Sequence, residues 1–151
     1  MEQIKYKSIN SVDTRLIIKE SLLYESKLTN FETVSDFFKS QLDDRDREVF
    51  AIIGTDSKGG AILYSELHIG DIKSAVVGMS TIFKPLILGN CAAFFIAHNH
   101  PSGDTTPSGS DLDVTKKIKK AAEVMGFDFF DSIIVSHTGK RSLRETSDIW
   151  R

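Results

Sequence analysis

Residues 91–125, CAAFFIAHNHPSGDTTPSGSDLDVTKKIKKAAEVM, form the stretch that decides the fold. The stretch opens with CAAFFIA (91–97), a continuously apolar run, which is typical of a strand buried on both faces. It closes with a segment that predicts a helix over 109–125, capped by Ser108 and terminated by Gly126. The connection between them is rich in histidine, aspartate, proline and glycine, so we take this connection as the candidate site.

The segments on either side of this stretch alternate between helical and strand patterns. The predicted helices lie at 33–42 and 80–90, and the predicted strands at 49–55, 61–70 and 127–136, with a turn into a last short strand. Residues 15–26 have no clean period and are expected to form a strand or irregular structure. The helix over 109–125 should bury an apolar stripe of Leu112, Val114, Ile118, Ala121, Ala122 and Met125. Interleaved helices and strands predict an α/β or mixed α+β architecture.

Length, charge and cysteine content limit the classes of protein. We expect one domain over 1–151, with residues 1–30 peripheral. Nineteen basic and 21 acidic residues give a net charge of -2, so no global positive field would attract nucleic acid. The one cysteine, Cys91, can form no internal disulfide, and the sequence contains neither a signal-peptide pattern nor a membrane-spanning apolar run. These features predict a cytoplasmic protein that does not associate with membranes.

The connection HNHPSGDTTPSGSD, residues 98–111, has the residue types of a metal site. Successive strand side chains point to opposite faces, so His98 and His100 point the same way if the strand geometry continues. Asp111, in the first turn of the next helix, can return to the same end of the sheet. Two histidines and one carboxylate leave a fourth coordination position open, which is the arrangement of a catalytic zinc. Ser108 could donate a hydrogen bond to an oxyanion, although Ser-x-x-Asp before a helix is also a common cap.

The same residues resemble the JAMM motif of the JAB/MPN metallopeptidases, His-x-His-x7-Ser-x2-Asp, and HNHPSG followed by PS resembles its bacterial RadC-like branch. The resemblance extends over residues 47–143. It implies an α/β fold with a mixed sheet flanked by helices, in the layered architecture that JAB/MPN domains share with cytidine deaminases. It also implies zinc on His98, His100 and Asp111, and an oxyanion steadied by Ser108.

The resemblance further implies a glutamate that activates water. That glutamate should lie at the start of the strand preceding the hairpin, which selects Glu48, while Glu66 in YSELHIG is the competitor. The expected activity is a zinc-dependent hydrolase of metallopeptidase or isopeptidase type. Its expected substrate is a peptide or an isopeptide-linked protein.

The sequence departs from the usual RadC-like pattern in three places. The chain shows no helix-hairpin-helix segment, Ser132 stands where the family commonly has a histidine, and MST at 79–81 replaces a usual Pro-Arg-Glu. Two alternatives remain open: a DNA-repair or mobile-element accessory protein that binds nucleic acid or protein partners, and a non-catalytic JAB/MPN interaction module. An HNH nuclease is disfavoured because three adjacent strand residues alternate faces, and a zinc nucleobase deaminase needs a Pro-Cys-x-x-Cys that a single cysteine cannot supply.

Overall fold

A computed structural model describes residues 9–13, 15–22, 27–69 and 77–151. Within them the chain forms a five-stranded sheet of order β2-β1-β3-β4-β5, in which β3 and β4 are parallel and the other neighbours antiparallel. The predicted mixed sheet flanked by helices is therefore confirmed. The elements in chain order are α1 (Phe31–Leu42), β1 (Val49–Thr55), β2 (Ala61–Ile69), α2 (Met79–Leu88), β3 (Ala93–Asn99), α3 (Gly109–Met125), β4 (Asp128–Ser136), β5 (Gly139–Ser142) and α4 (Leu143–Thr146).

Both faces of the sheet are covered. One face packs against α2 and α3 through an apolar cluster that includes Phe50, Ile82 and Ile118, and we call it the α3 face. The other packs against α1 through a cluster that includes Phe38 and Ile133, and we call it the α1 face. The central strand β3 is consequently buried along its whole length, as its uninterrupted apolar run predicts.

The predicted strand at 91–97 is displaced along the chain, because β3 begins at Ala93 and ends at Asn99. Hydrogen-bonded pairing continues past the apolar run, since His98 pairs with residues of both neighbouring strands, β1 and β4. At the other end, the Cys91 N–H donates to the Leu86 carbonyl and belongs to the end of α2. His98 therefore lies inside the strand and is held on both sides.

Helix α3 has the predicted bounds, but its predicted apolar stripe is wrong at Met125. Its buried residues are Asp111, Thr115, Ile118 and Ala122, whereas Met125 is 45% exposed. The chain turns back at Gly126, where φ is 78° and a side chain would be strained, and Phe127 packs on the apolar layer in place of Met125. The buried line of the helix starts with a carboxylate because its first turn lies over the candidate site.

Strand β4 contains one residue more than the matching part of β3. Phe94 pairs with Phe129 and Phe95 with Asp131, so Phe130 forms a bulge. Side chains alternate along a strand, and the bulge therefore sets the facing of every residue that follows it. Asp131 consequently faces the same side as Ile133, which lies in the cluster on the α1 face.

The short helix α4 was not predicted. Ser142 caps it, accepting a hydrogen bond from the Glu145 N–H at 3.1 Å, and Ser-x-x-Glu before an apolar turn is the sequence signal that could have found it. Residues 15–22 form neither helix nor strand, in agreement with the irregular reading, while residues 23–26 and Gly70 lie outside the described part. In the described part of the chain, no helix has the length and apolar character needed to cross a membrane.

Candidate metal centre

Strand β3 presents two imidazole rings to one point. His98 is 3% exposed and stacks on Phe50, with ring centroids 6.5 Å apart. His100 follows the last strand residue, and its Nε2 atom lies 3.0 Å from Nε2 of His98. The spacing of two residues along an extended chain thus places both rings on the α3 face, as the sequence predicts.

Asp111 brings a carboxylate to the same point from the first turn of α3. Its Oδ1 lies 3.3 Å from Nε2 of His98, and its Oδ2 lies 3.3 Å from Nε2 of His100. The three ligand atoms lie within 4.8 Å of one another. Two ligands about 2.1 Å from a tetrahedral ion stand about 3.4 Å apart, so these side chains could hold a metal ion with little rearrangement.

The hydrogen bonds around the three side chains orient them and keep Asp111 ionised, which favours binding of a cation. Nδ1 of His100 lies 2.7 Å from the Asp104 carbonyl oxygen, which can only accept, so Nδ1 carries a proton and Nε2 is the ring nitrogen that faces His98 and Asp111. The hydrogen bond with Asp111 raises the pKa of His100, and the charge of Glu48 adds to this. Burial acts to raise the pKa of Asp111, but hydrogen bonds with His100 and His98 hold it well below its ordinary value. Asp111 is therefore an ionised, buried carboxylate at neutral pH.

A cavity of about 290 Å³ opens over this group. Among its lining residues are Glu48, which directly precedes β1, and Ser108, the residue that caps α3. Glu66 lies elsewhere, because its carboxylate is paired with Arg45 at 2.7 Å. The lining residues are Glu48, His100, Pro101, Ser102, Asp104, Thr106, Ser108 and Asp111. Of the two candidate glutamates, the fold places Glu48 at the cavity.

Ser108 has a visible structural role. Its Oγ accepts from the Asp111 N–H at 3.1 Å, and its own N–H donates to Asp111 Oδ2 at 2.7 Å, which completes a capping box. A hydroxyl that accepts in this way still has a proton to donate. Capping and a hydrogen bond into the cavity are therefore compatible, and the oxyanion role stays a prediction.

Thr115 supports the site but is not among the residues predicted from the sequence. Thr115 Oγ1 donates to the Asp111 carbonyl at 2.7 Å and lies 3.3 Å from Ser132 Oγ, so it ties the first turn of α3 to β4. The spacing of four residues from Asp111 is the signal that could have found it. Ser132, where the sequence departs from the usual RadC-like pattern, thus contacts the site through Thr115.

Comparisons with known proteins identify a family that this chain matches. The family model described as the RadC-like JAB domain matches residues 28–148. A "UPF0758 protein" of Syntrophomonas wolfei is 33% identical over 113 residues, which are 75% of this chain and 48% of the relative. Proteins of the same name are 36% identical in Haemophilus influenzae, over 87% of this chain and 60% of the relative, and 36% identical in a Marinomonas species, over 85% and 57%. The chain thus spans between 48% and 60% of the length of these relatives.

Proposed function

The chain belongs to the RadC-like JAB domain family, and from this premise we propose that it is a zinc-dependent hydrolase of peptide or isopeptide bonds. One observation carries the proposal: three ligand atoms converge within 4.8 Å beneath a cavity that Glu48 and Ser108 also line. Hydrolysis of an amide can use three components around one space: a metal site, a carboxylate that transfers protons, and a hydroxyl that donates a hydrogen bond.

The donor set favours zinc. His98, His100 and Asp111 would hold the ion, and two imidazoles with one carboxylate suit zinc, whereas magnesium and calcium prefer oxygen ligands. Three protein ligands leave a coordination position for reactants, which distinguishes catalytic sites from closed structural ones. When bound, zinc supplies Lewis-acid polarisation and makes water more acidic.

The residues around the cavity would carry the proton transfers. Glu48 accepts a proton from the attacking water, whose oxygen bonds to the amide carbon. Ser108 donates a hydrogen bond to the carbonyl oxygen as negative charge develops there. Glu48 then returns the proton to the amide nitrogen as the carbon–nitrogen bond breaks, so one carboxylate acts first as base and then as acid.

The substrate is proposed from the chemistry of the cavity. An amide bond needs an activated water, charge stabilisation on its oxygen and a proton for its leaving nitrogen, and this cavity offers a group for each. A peptide or an isopeptide-linked protein meets that description. The chain covers 48% to 60% of the length of these relatives, and the proposed chemistry is that of this domain.

The experiment compares two glutamates. Glu48→Gln keeps size and polarity but cannot accept a proton, so we expect normal zinc content and a fall in kcat of about 10²- to 10⁴-fold. Glu66→Gln is the matched control, because its site is an ion pair with Arg45 away from the cavity, and it should leave turnover nearly unchanged. The measurement is zinc content with single-turnover cleavage of a pool of internally quenched peptides and lysine-linked isopeptides.

Three results would contradict parts of the proposal. Activity in Glu48→Gln with loss of activity in Glu66→Gln would show that the base is misassigned. Retention of a full equivalent of zinc in His100→Ala would reject the ligand set. A zinc-loaded wild-type protein that cleaves no member of the pool would reject the hydrolase itself.

A further inference from the structure

Asn99 stands between the two histidines and faces the opposite side of the sheet. Its side chain is 1% exposed. Its Oδ1 accepts from the Val49 N–H at 2.6 Å, and its Nδ2 donates to the Arg47 carbonyl at 3.0 Å and, at 3.5 Å, to that of Arg45. Each partner atom belongs to the backbone of residues 45–49, the segment that carries Glu48.

The two shorter hydrogen bonds lie on either side of Glu48. The Arg47 carbonyl is part of the peptide group that precedes Glu48, and the Val49 N–H is part of the one that follows it. The rotations φ and ψ of a residue are defined between its two flanking peptide planes. One amide side chain therefore restrains both backbone rotations of Glu48 and, with them, the direction of its Cα–Cβ bond.

The ladder of backbone hydrogen bonds between β1 and β3 does not hold the backbone of Glu48 in place. It runs from Phe50 paired with His98 to Thr55 paired with Ala93, so Glu48 lies beyond its end. Only a side chain with one acceptor and one donor at this reach can satisfy an N–H and a carbonyl together, and a primary amide has both. Asparagine at position 99 meets that requirement.

We propose that Asn99 is a positioning residue that fixes the backbone at Glu48 and thereby aims its carboxylate into the cavity beside His100 and Asp111. The inference rests on the proposed function, because it assigns Glu48 the role of the base. It makes β3 the common support of the site: one face of the strand presents the two imidazoles, and the other holds the segment of the base. Ligands and base then keep their separation because a single buried strand sets both.

A purely structural role would give a different set of results. A buried asparagine that only satisfies a strand end would lower stability when replaced and leave turnover per folded molecule unchanged. Ser142→Ala provides the matched control, because Ser142 is 3% exposed and its hydroxyl hydrogen-bonds to buried Asp131, far in the chain from residues 45–49. It should destabilise the protein without moving Glu48.

The first measurement reports position without turnover. Asn99→Leu removes both hydrogen bonds, while Asn99→Asp keeps the acceptor for Val49 and loses the donor to Arg47. We expect the Val49 amide of the zinc-free protein to exchange about 10-fold faster in Asn99→Leu, relative to the Ile52 amide of the same strand, and to change little in Asn99→Asp and Ser142→Ala. Crystal structures should show the Glu48 carboxylate displaced in both Asn99 variants.

The second measurement reports the consequence for turnover. Zinc content should stay at one equivalent in both Asn99 variants, because the three ligands are untouched. A displacement of about 1 Å can cost about 100-fold, so kcat on the peptide and isopeptide pool should fall about 10- to 100-fold, with KM held. Ser142→Ala should keep the wild-type kcat.

Each outcome decides the inference. An unmoved Glu48 carboxylate in the Asn99 variants, or an unchanged kcat after it moves, overturns the positioning role. If Glu48 moves as expected but the zinc-loaded wild-type protein cleaves nothing in the pool, the positioning of Glu48 stands and the proposed hydrolase is what fails. Asn99→Asp keeps the test decisive if Asn99→Leu does not fold.

Discussion

Asp111 and Asp131 are both buried carboxylates, 6% and 4% exposed, and each lies beside the capping serine of a helix. Asp131 accepts from Ser142 Oγ at 2.5 Å, and from the N–H groups of Ser132 and Arg144 at 2.7 and 2.9 Å. These donors are all neutral. Burial raises the pKa of Asp131 despite them. Asp111 instead faces two imidazoles, and its pKa is lowered.

The difference separates a carboxylate that joins parts of the chain from one that is ready for a cation. Asp131 connects β4, β5 and α4, and its oxygens are used by donors that the fold itself provides. Asp111 uses one backbone donor, from Ser108, and turns the rest of its lone pairs toward two ring nitrogens. Burial by itself is therefore not the signature of a metal ligand, whereas convergence with other ligand atoms is.

The largest difference between the two aspartates should appear in zinc content. Asp111→Asn removes the anionic ligand, and stoichiometric binding should be lost in an equilibrium titration with a chelator as competitor. Asp131→Asn should still bind one equivalent, because within the described residues the Asp131 carboxylate accepts from Ser132, Ser142 and Arg144 and from none of the three ligand side chains. Equal zinc content in the two variants would contradict the assignment of Asp111, and not Asp131, as a metal ligand.

The two capping serines should differ in turnover. Ser108→Ala and Ser142→Ala each remove a cap, which costs about 0.5–2 kcal/mol of stability. Only Ser108 lines the cavity, so only Ser108→Ala should lower kcat, by about 10²- to 10³-fold with zinc content near normal. The measurement is kcat beside the free energy of unfolding for both variants. If Ser108→Ala loses stability and keeps its kcat, Ser108 is a cap alone.

The joining role of Asp131 predicts a moderate effect on stability. Asp131→Ala leaves buried donors unpaired and should lower the free energy of unfolding by about 1–3 kcal/mol. Asp131→Asn should lose much less, because its amide oxygen can accept from the two N–H groups and its NH₂ group can donate to Ser142 Oγ. Urea unfolding of the zinc-free proteins measures both. Equal losses would mean that the hydrogen bonds contribute little.

The smallest expected effect is a pH dependence. Burial raises the pKa of Asp131, so the folded state favours its protonated form. The wild-type protein should therefore gain stability relative to Asp131→Asn as the pH falls from about 7 to about 4, because protonation of Asp131 is easier in the folded state than in the unfolded state. Unfolding free energies of the two zinc-free proteins across this range provide the test, and parallel curves would contradict it.

Much of the fold can be predicted from local signals. The apolar run of β3, the cap at Ser108 and the glycine at Gly126 lie next to each other in the chain, and each acts within a few residues of where it stands. The facing of His98 and His100 follows from strand alternation in the same way. The structure agrees with these predictions because the interactions that decide them are local.

The remaining features depend on pairing between distant segments. Nothing in the period of the sequence relates Glu48 to residues 98–111, and only the family resemblance suggested that glutamate. The role of Asn99 depends on hydrogen bonds to a segment about 50 residues earlier, as Val49 shows. Met125 was misassigned because the direction of the chain after Gly126 decides which side chain covers the apolar layer.

The extra residue in β4 limits where the chain can tolerate a deletion. Phe130 forms the bulge that puts Asp131 on the α1 face, while Asp111 and its histidines lie on the α3 face. Removing Phe130 would leave every later residue on its present face, because Phe129 and Asp131 would then be adjacent and would alternate opposite Phe94 and Phe95. Losing the bulge while Phe130 is retained would instead shift the rest of β4 by one residue and exchange the faces of all that follow. The joining carboxylate would then turn toward α3, and the apolar side chain of Ile133 would leave the core beneath α1. Within β4, the bulge at Phe130 is therefore the position where one residue can be lost while the pairing of the strand is kept.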